Sequence, residues 1–507
     1  MKKHFYITTA IDYVNGQPHL GHTYEKVLAD VVARYHRLKG ESVHFLTGVD
    51  EHGQKVQQKA QALGKEPQAF CDEVTESFVA LTHALKLTND DFIRTTDERH
   101  KKIVRWALQK LYDQGLIYKA EYKGFYSVKE ERFLLEKDKI DGAWPALFGE
   151  VKELSESNYF FKLSAYQDWL ISYLKENPDF IFPHYRQKQV LEFLKEPLND
   201  LCISRPIDRL QWGIPLPFDP EFVTYVWFDA LLNYISAVGL NTESFEQYWP
   251  ADCHIIGKDI LVPSHSIYWP IMLKALELPL PKQIIAHGWW LTSGEKMSKS
   301  LGNTFNLFDW FEEKGIDAVR YFLMREMVTG QDCEFSLENF ENRYNNELAN
   351  EWGNLISRTF NMIQRYCDGK VPTPSQPNED LKSIWKETYE AINKHFDQFQ
   401  FSQGLEKLFK FIRELNRYIE SKAPWKLAKD PAEASQMELK DVLAHLIEGI
   451  RLSVQYLQII IPVSSQKLME ALQIQDKPSN FSWNPQTLSG TFITEKLLLF
   501  PKAEKRA

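Results

Sequence analysis

The sequence predicts an α/β fold: a parallel sheet interrupted by an insertion and followed by an all-helical domain. Two observations carry this. Within the first fifty residues a β-branched and aromatic run, Phe5 to Ile11, gives way to apolar residues at helical spacing (Tyr24, Val27, Leu28, Val31, Tyr35), and then to a second β-rich run, Ser42 to Val49. Strand, helix and strand at this spacing form a βαβ unit, which imposes parallel pairing and a right-handed crossover. In the last third, strand signals nearly vanish and a 3.6-residue period takes over, as in Leu405, Leu408, Ile412, Leu415 and Ile419.

Taken in order, Gly40 stops the first helix, a short strand is expected between Asn89 and Thr96, and a helix from Lys101 to Gly115. From Tyr118 to Pro220 the pattern turns irregular, with scattered aromatics and many prolines, which reads as an insertion. Apolar, β-rich segments at Phe222 to Ala230, Cys253 to Ile256 and Lys282 to Ala286, with a helical run at Ser264 to Leu276, mark the return of the sheet. The expected division is 1–117 and 221–290 for the two halves of the α/β domain, 118–220 for the insertion, 291–345 for a linking segment and 346–507 for the helical domain.

Composition narrows the function. Sixty Lys and Arg against 69 Asp and Glu give a net charge of -9, so any nucleic-acid site must be a local patch on an acidic protein. The cysteines (71, 202, 253, 333, 367) are odd in number with no CxxC pair, which argues against a disulfide scaffold and a thiolate zinc site and suits a reducing compartment. With no signal-type apolar region at the start and no eighteen-residue apolar run, a cytoplasmic protein is expected.

Two segments carry chemistry. The first strand runs into Asn15-Gly16-Gln17-Pro18-His19-Leu20-Gly21-His22 just where the helix begins. There Gly21 allows close approach, the helix N-terminus offers free N–H groups to phosphate, and two imidazoles add donors. The tetrapeptide also fits an ordinary helix start. Lys296-Met297-Ser298-Lys299-Ser300, between Gly294 and Gly302, has neither period. Its two ammonium groups can move onto a pyrophosphate as charge develops, although alone it also reads as a solvated loop.

His19 to His22 resembles the HIGH motif of class I aminoacyl-tRNA synthetases, and Lys296 to Ser300 matches their KMSKS motif letter for letter. From His22 to Lys296 is 274 positions, too few for the large editing insertion of the leucine, isoleucine and valine enzymes. Seven further segments resemble the methionyl members in order: Ala10-Ile11-Asp12-Tyr13, Gly48-Val49-Asp50-Glu51-His52-Gly53, Ile203-Ser204-Arg205, Tyr225-Val226-Trp227-Phe228-Asp229-Ala230, Asn233-Tyr234, Gly257-Lys258-Asp259-Ile260 and His287-Gly288-Trp289.

The resemblance implies a Rossmann-like catalytic domain, a connective insertion and an anticodon-binding helical domain. It implies that His19, His22, Lys296 and Lys299 are catalytic, that His19, Gly21, His22, Gly257, Asp259 and Lys299 hold ATP, and that Mg2+ bridges the phosphates. Asp259 after a strand end also fits ribose hydroxyls in the Rossmann manner, or equally a helix N-cap. A thioether needs aromatic walls and few donors. Tyr13, Trp227, Tyr234 and His287 could supply them, with Ile11 and Ala230 as floor, though each aromatic alone also fits a core. The resemblance gives Asp50, held by Arg205, to the substrate ammonium. The implied partners are L-methionine, ATP and tRNA(Met), read at the anticodon by Asn354, Arg358 and Trp483. Asn354, Arg358 and Arg365 share one helix face, whose default reading is a solvated stripe, as it is for Lys407, Lys410, Arg413 and Arg417.

One departure concerns metal. Many methionyl enzymes carry a zinc knuckle with CxxC pairs after a segment like Tyr122-Lys123-Gly124-Phe125-Tyr126, whereas here Ser127-Val128-Lys129-Glu130 follows, so no zinc is expected. Phe125, Tyr126, Trp144 and Phe148 are expected to fill the space by packing. A monomer is expected because the sequence ends near Leu499-Phe500-Pro501-Lys502 with no appended dimerising domain. Metal analysis should find no stoichiometric zinc, and activity should survive a zinc chelator; one zinc per chain would overturn the expectation.

Overall fold

The computed structural model describes residues 3–127, 132–134, 139–140, 142–292, 295–296, 306–474, 480–493 and 496–501. The chain forms two compact units: Met1–Ala29, Glu41–His83 and Leu87–Gly288 in one, and Asp30–Gly40, Ala84–Lys86 and Trp289–Ala507 in the other.

The first unit is built on a seven-stranded parallel sheet. Its strands are β1 (His4–Thr9), β2 (Asp12–Tyr13), β3 (Ser42–Asp50), β4 (Asp91–Arg94), β5 (Ile181–Phe182), β6 (Cys253–Gly257) and β7 (Ile284–His287). The order runs β2-β3-β1-β6-β7-β5, with β4 also on β3. Residues 5–9 of β1 and all of β6 and β7 are buried, as expected of parallel strands covered on both faces. Helix α1 (Leu20–Leu38) follows the first strand; Tyr24, Val27, Leu28, Val31 and Tyr35 are all buried. Gly40, at φ +84, ends it.

Two segments depart from the sequence reading. Phe222 to Ala230 is no strand of this sheet. Asp219–Thr224 belongs to a separate antiparallel sheet between Ser204–Pro206 and Ile214–Leu216, and Trp227–Ala230 forms a helical turn, α3. The break lies at Val226, whose φ of 55° no strand accommodates. The stretch expected to be irregular holds an ordered antiparallel hairpin, Ile117–Ser127 on Val151–Phe161, and Ile181–Phe182 already pairs with Ile284 and Ile285 of the main sheet. Helices α2 (Glu98–Asp113) and α4 (Asn233–Ser236) complete the parts needed below.

The second unit is mostly helical. Helix α5 (Asn354–Tyr366) buries Leu355, Ile356, Thr359, Phe360 and Ile363, and α6 (Phe401–Lys422) buries its whole predicted stripe from Leu405 to Ile419. Then come the short α7 (Pro424–Leu427) and the long α8 (Glu433–Ile460). No helix among the described residues is long and apolar enough to cross a membrane.

The sheet explains one glycine. Gly48 of β3 is in register with Ile93 of β4, and a Cβ at Gly48 would stand 2.1 Å from the Ile93 carbonyl oxygen. Gly48→Ala should therefore destabilise the first unit by at least about 2 kcal/mol, since the contact is with backbone that cannot rotate away; chemical denaturation measures it.

Candidate active site

The order in which strands are added reverses between β1 and β6. From β1 the chain continues to β3 on one side, while β6 and β7 lie on the other. In open parallel sheets, ligands bind at such a switch point, beyond the carboxyl ends of the strands. Several of the residues singled out by the sequence lie at these ends. Tyr13 and Asp50 are register partners on β2 and β3, as are Gly257 and His287 on β6 and β7. His19, Gly21 and His22 sit where α1 starts.

The two imidazoles of that turn stack, centroids 3.7 Å apart and planes 15° apart. His19 Nδ1 accepts N–H bonds from Gly21 at 3.1 Å and His22 at 3.4 Å, and His22 Nδ1 accepts from the His19 N–H at 3.2 Å. Both Nδ1 atoms are thus used as acceptors, and each neutral ring carries its proton on Nε2. A Cβ at Gly21 would meet His19 Cε1 at 2.9 Å, so a larger residue there would displace that imidazole. Beneath the turn, buried Asp12 pairs with Lys26, also buried, and its other oxygen lies 3.9 Å from His22 Nε2. Burial raises the Asp12 carboxyl pKa, with Lys26 pulling against it. After β6, Asp259 is exposed and its carboxylate lies over Gly257, where a Cβ would stand 2.6 Å from Oδ1.

The aromatic residues fall into two packed clusters. Ile11 and Trp227 pack on the same core cluster as Tyr234, while Tyr13 packs with Val14 and Val49 in another and lies under Lys55. Ala230 is buried on α3. Tyr234 donates its hydroxyl to His265 Nε2 at 2.8 Å, and His265 Nδ1 donates to the Ile260 carbonyl at 2.8 Å. Burial pushes the His265 pKa down to about 4, and its ring meets Trp227 edge-on at 6.3 Å. Behind it His254 stacks on Tyr234 at 4.1 Å; burial holds its pKa far below the usual histidine value. His287 faces Glu25 at 3.1 Å; burial raises the Glu25 carboxyl, opposed by that histidine.

Arg205 is buried with its guanidinium 3.4 Å from Glu156 and over the rings of Tyr126 and Tyr225. Tyr126 thus turns to Arg205, while Phe125, Trp144 and Phe148 touch one another. Among the described residues no three His, Cys, Asp or Glu side chains gather as a metal site. Lys299 and residues 128–130 lie outside the described residues; Lys296 pairs through its backbone with Leu291.

Sequence reasoning passed over several groups. Asp229 bonds both His52 and His100; burial pushes its carboxyl up, but the two imidazoles outweigh this and hold it below the usual range. Val226, at φ 55° and ψ -121°, occupies a region that costs a β-branched residue about 1–3 kcal/mol. His52 and Asp229 stood in quoted motifs, but their pairing spans 177 positions. In the second unit, Asn354 is exposed at the start of α5, and Arg358 pairs with Glu420 at 2.7 Å and lies 5.7 Å from the ring of Trp425. Trp483 is half-buried against Phe411 and His445. Arg413 and Arg417 are ion-paired.

Comparison with known proteins follows the same lines. The family described as tRNA synthetases class I (M) matches residues 5–153 and 135–360, and the anticodon binding domain of methionyl tRNA ligase matches residues 371–494. The chain is 43% identical to methionine–tRNA ligase of Caldanaerobacter subterraneus over 99% of its own length and 80% of the relative's. It is 42% identical to that of Bacillus subtilis, over 99% and 78%. A Mycobacterium tuberculosis methionyl-tRNA synthetase solved with methionyl-adenylate superposes with a TM-score of 0.93 at 38% identity, covering 98% of this chain and 100% of that one. These matches make the chain a class I aminoacyl-tRNA synthetase. Within that class the chain belongs to the methionine–tRNA ligase family.

The neutral histidines make stability depend on pH. An unfolded histidine takes up a proton near pH 6.5, whereas folded His265 does so only near 4. The unfolded state therefore binds more protons between these values, and His265 contributes stability that is full above pH 6.5 and lost as pH falls toward 4, up to about 3 kcal/mol. The urea midpoint should fall over this range, and His265→Gln should flatten the fall.

Proposed function

We propose that the chain activates L-methionine at the β1/β6 switch point and esterifies it to tRNA(Met). The substrate carboxylate attacks the α-phosphorus of ATP, forming an acyl–phosphate bond as the bond to pyrophosphate breaks. The terminal adenosine hydroxyl of the tRNA then attacks the acyl carbon, and AMP leaves with the bonding pair. Neither step needs a protein nucleophile, so catalysis is alignment and charge stabilisation. ATP enters as its Mg2+ complex.

The observation that carries this reading is the stacked pair His19 and His22, whose Nδ1 atoms are consumed by backbone N–H groups. The pair orders the start of α1, whose N-terminal N–H groups suit phosphate oxygens. Lys296 and Lys299 act on the pyrophosphate, Gly21 and Gly257 give the nucleotide room, and Asp259 holds the ribose. Asp50 takes the substrate ammonium, with Arg205 as its support. Ile11, Tyr13, Trp227, Ala230, Tyr234 and His287 receive the side chain. His265, neutral and hydrogen-bonded on both nitrogens, keeps charge out of that pocket.

For the anticodon the reading is Asn354 and Arg358 with Trp425, which lies beside Arg358; Trp483 is the alternative. The protein works as a cytoplasmic monomer without zinc, in keeping with five free thiols.

Amino-acid-dependent pyrophosphate exchange with all twenty amino acids should respond to methionine alone; exchange with another amino acid and none with methionine would defeat the reading. Lys299→Ala should slow adenylation by about 10^2-fold or more with methionine affinity kept, because its charge acts as pyrophosphate leaves. Trp425→Ala should cost tRNA charging about 1–3 kcal/mol, the value of a lost base stack, with pyrophosphate exchange untouched. Trp483→Ala should instead lower the melting temperature. The reverse result would return the stacking role to Trp483.

A further inference from the structure

Trp227 stands on backbone that the local sequence does not favour. Among the described non-glycine residues with positive φ, Val226 is the only β-branched one, and its ψ of -121° takes it outside the left-handed helical region as well. Something beyond the turn must hold it.

The holding groups are three residues further on. Asp229 is fully buried, with Oδ2 bonded to His52 Nδ1 at 2.6 Å and Oδ1 to His100 Nε2 at 2.7 Å. His100 Nδ1 faces Ser236 Oγ at 2.8 Å, and that hydroxyl donates to the Asn233 carbonyl at 3.1 Å. His52 is braced by the Trp212 ring at 5.4 Å. Asp229 therefore joins α3 to the end of β3, to α2 and to α4. The α3 turn closes on Val226 through the Ala230 N–H, which donates to the Val226 carbonyl at 2.6 Å, so a fixed Asp229 fixes the turn. His52 also lies two residues past Asp50, and the clamp ties the strand end that carries Asp50 to the turn that carries Trp227.

We propose that Asp229 is a positioning residue for methionine recognition: gripped by His52 and His100, it holds the strained Val226–Trp227 turn in place and so sets where the Trp227 ring stands. This rests on Trp227 being a methionine contact. Asp229 and its two histidines touch no substrate; they act through the turn.

The test uses the full chain in pyrophosphate exchange. Asp229→Asn, and His52→Gln, which leaves the carboxylate paired with His100, should each raise the methionine KM by about tenfold or more, while kcat and the ATP KM change less than about threefold. Adding Val226→Gly to Asp229→Asn supplies a residue at home at this φ and should recover much of the methionine KM. A loss confined to kcat in proportion to lost folded protein, with KM unchanged, overturns the proposal, as does a double variant no better than Asp229→Asn. If Asp229→Asn does not fold, His52→Gln decides alone. Trp227→Ala separates the two readings. An unchanged methionine KM there removes Trp227 from the pocket, whereas a raised one with normal Asp229→Asn and His52→Gln defeats the clamp only.

Discussion

The pairing of β1 with β6 is the constraint on which the rest depends. Ile7, Thr8 and Thr9 lie in register with Cys253, His254 and Ile255, residues about half the chain apart. Because the pairing is parallel, both strands end at the same edge, and the loop after each must emerge there. The HLGH turn follows one strand and Gly257-Lys258-Asp259 the other, so a single register brings together groups that would hold phosphate and ribose. A slip of one residue would turn every side chain of β1 to the opposite face and separate Thr8 from His254, which share a 2.7 Å hydrogen bond.

Around that edge the histidines are used in two ways. His19 and His22 spend Nδ1 on backbone N–H groups at the start of α1. His254 and His265 have both nitrogens engaged inside the protein, and burial keeps them neutral. The same side chain thus orders a helix start in one place and lies neutral within the core in another. A charged group in that second position would need a partner of its own in the pocket.

What the sequence made legible was whatever depends on short-range order. The strand–helix–strand start, the helical stripe of α6 and the HLGH turn all rest on residues within a few positions of one another. What it hid depends on distant partners or on one backbone angle. Phe222 to Ala230 reads as a strand because Phe222 to Phe228 are all aromatic or β-branched, and the conformation of Val226 reverses the outcome. The stretch after Tyr118 reads as irregular because its strands pair with each other across a long hairpin. Trp425 was overlooked for a related reason: only the fold brings it to Arg358, 67 positions earlier.

The buried ions show why such distant pairings persist. Asp12 with Lys26, and Asp229 with His52 and His100, are taken out of water at a desolvation penalty that largely cancels their attraction, so as contributors to net stability they are weak. Removing one partner, however, leaves an uncompensated charge and costs about 3–5 kcal/mol. Such a group gives little stability when satisfied and a steep penalty when displaced, so it favours one geometry over its neighbours. Asp12 approaches His22, and Asp229 shares a helical turn with Trp227. Apolar packing in those places would tolerate small shifts, whereas a buried carboxylate tied to its partners, as Asp229 is on both oxygens, does not. An enzyme that works by alignment needs that intolerance at the points where its ligands are placed.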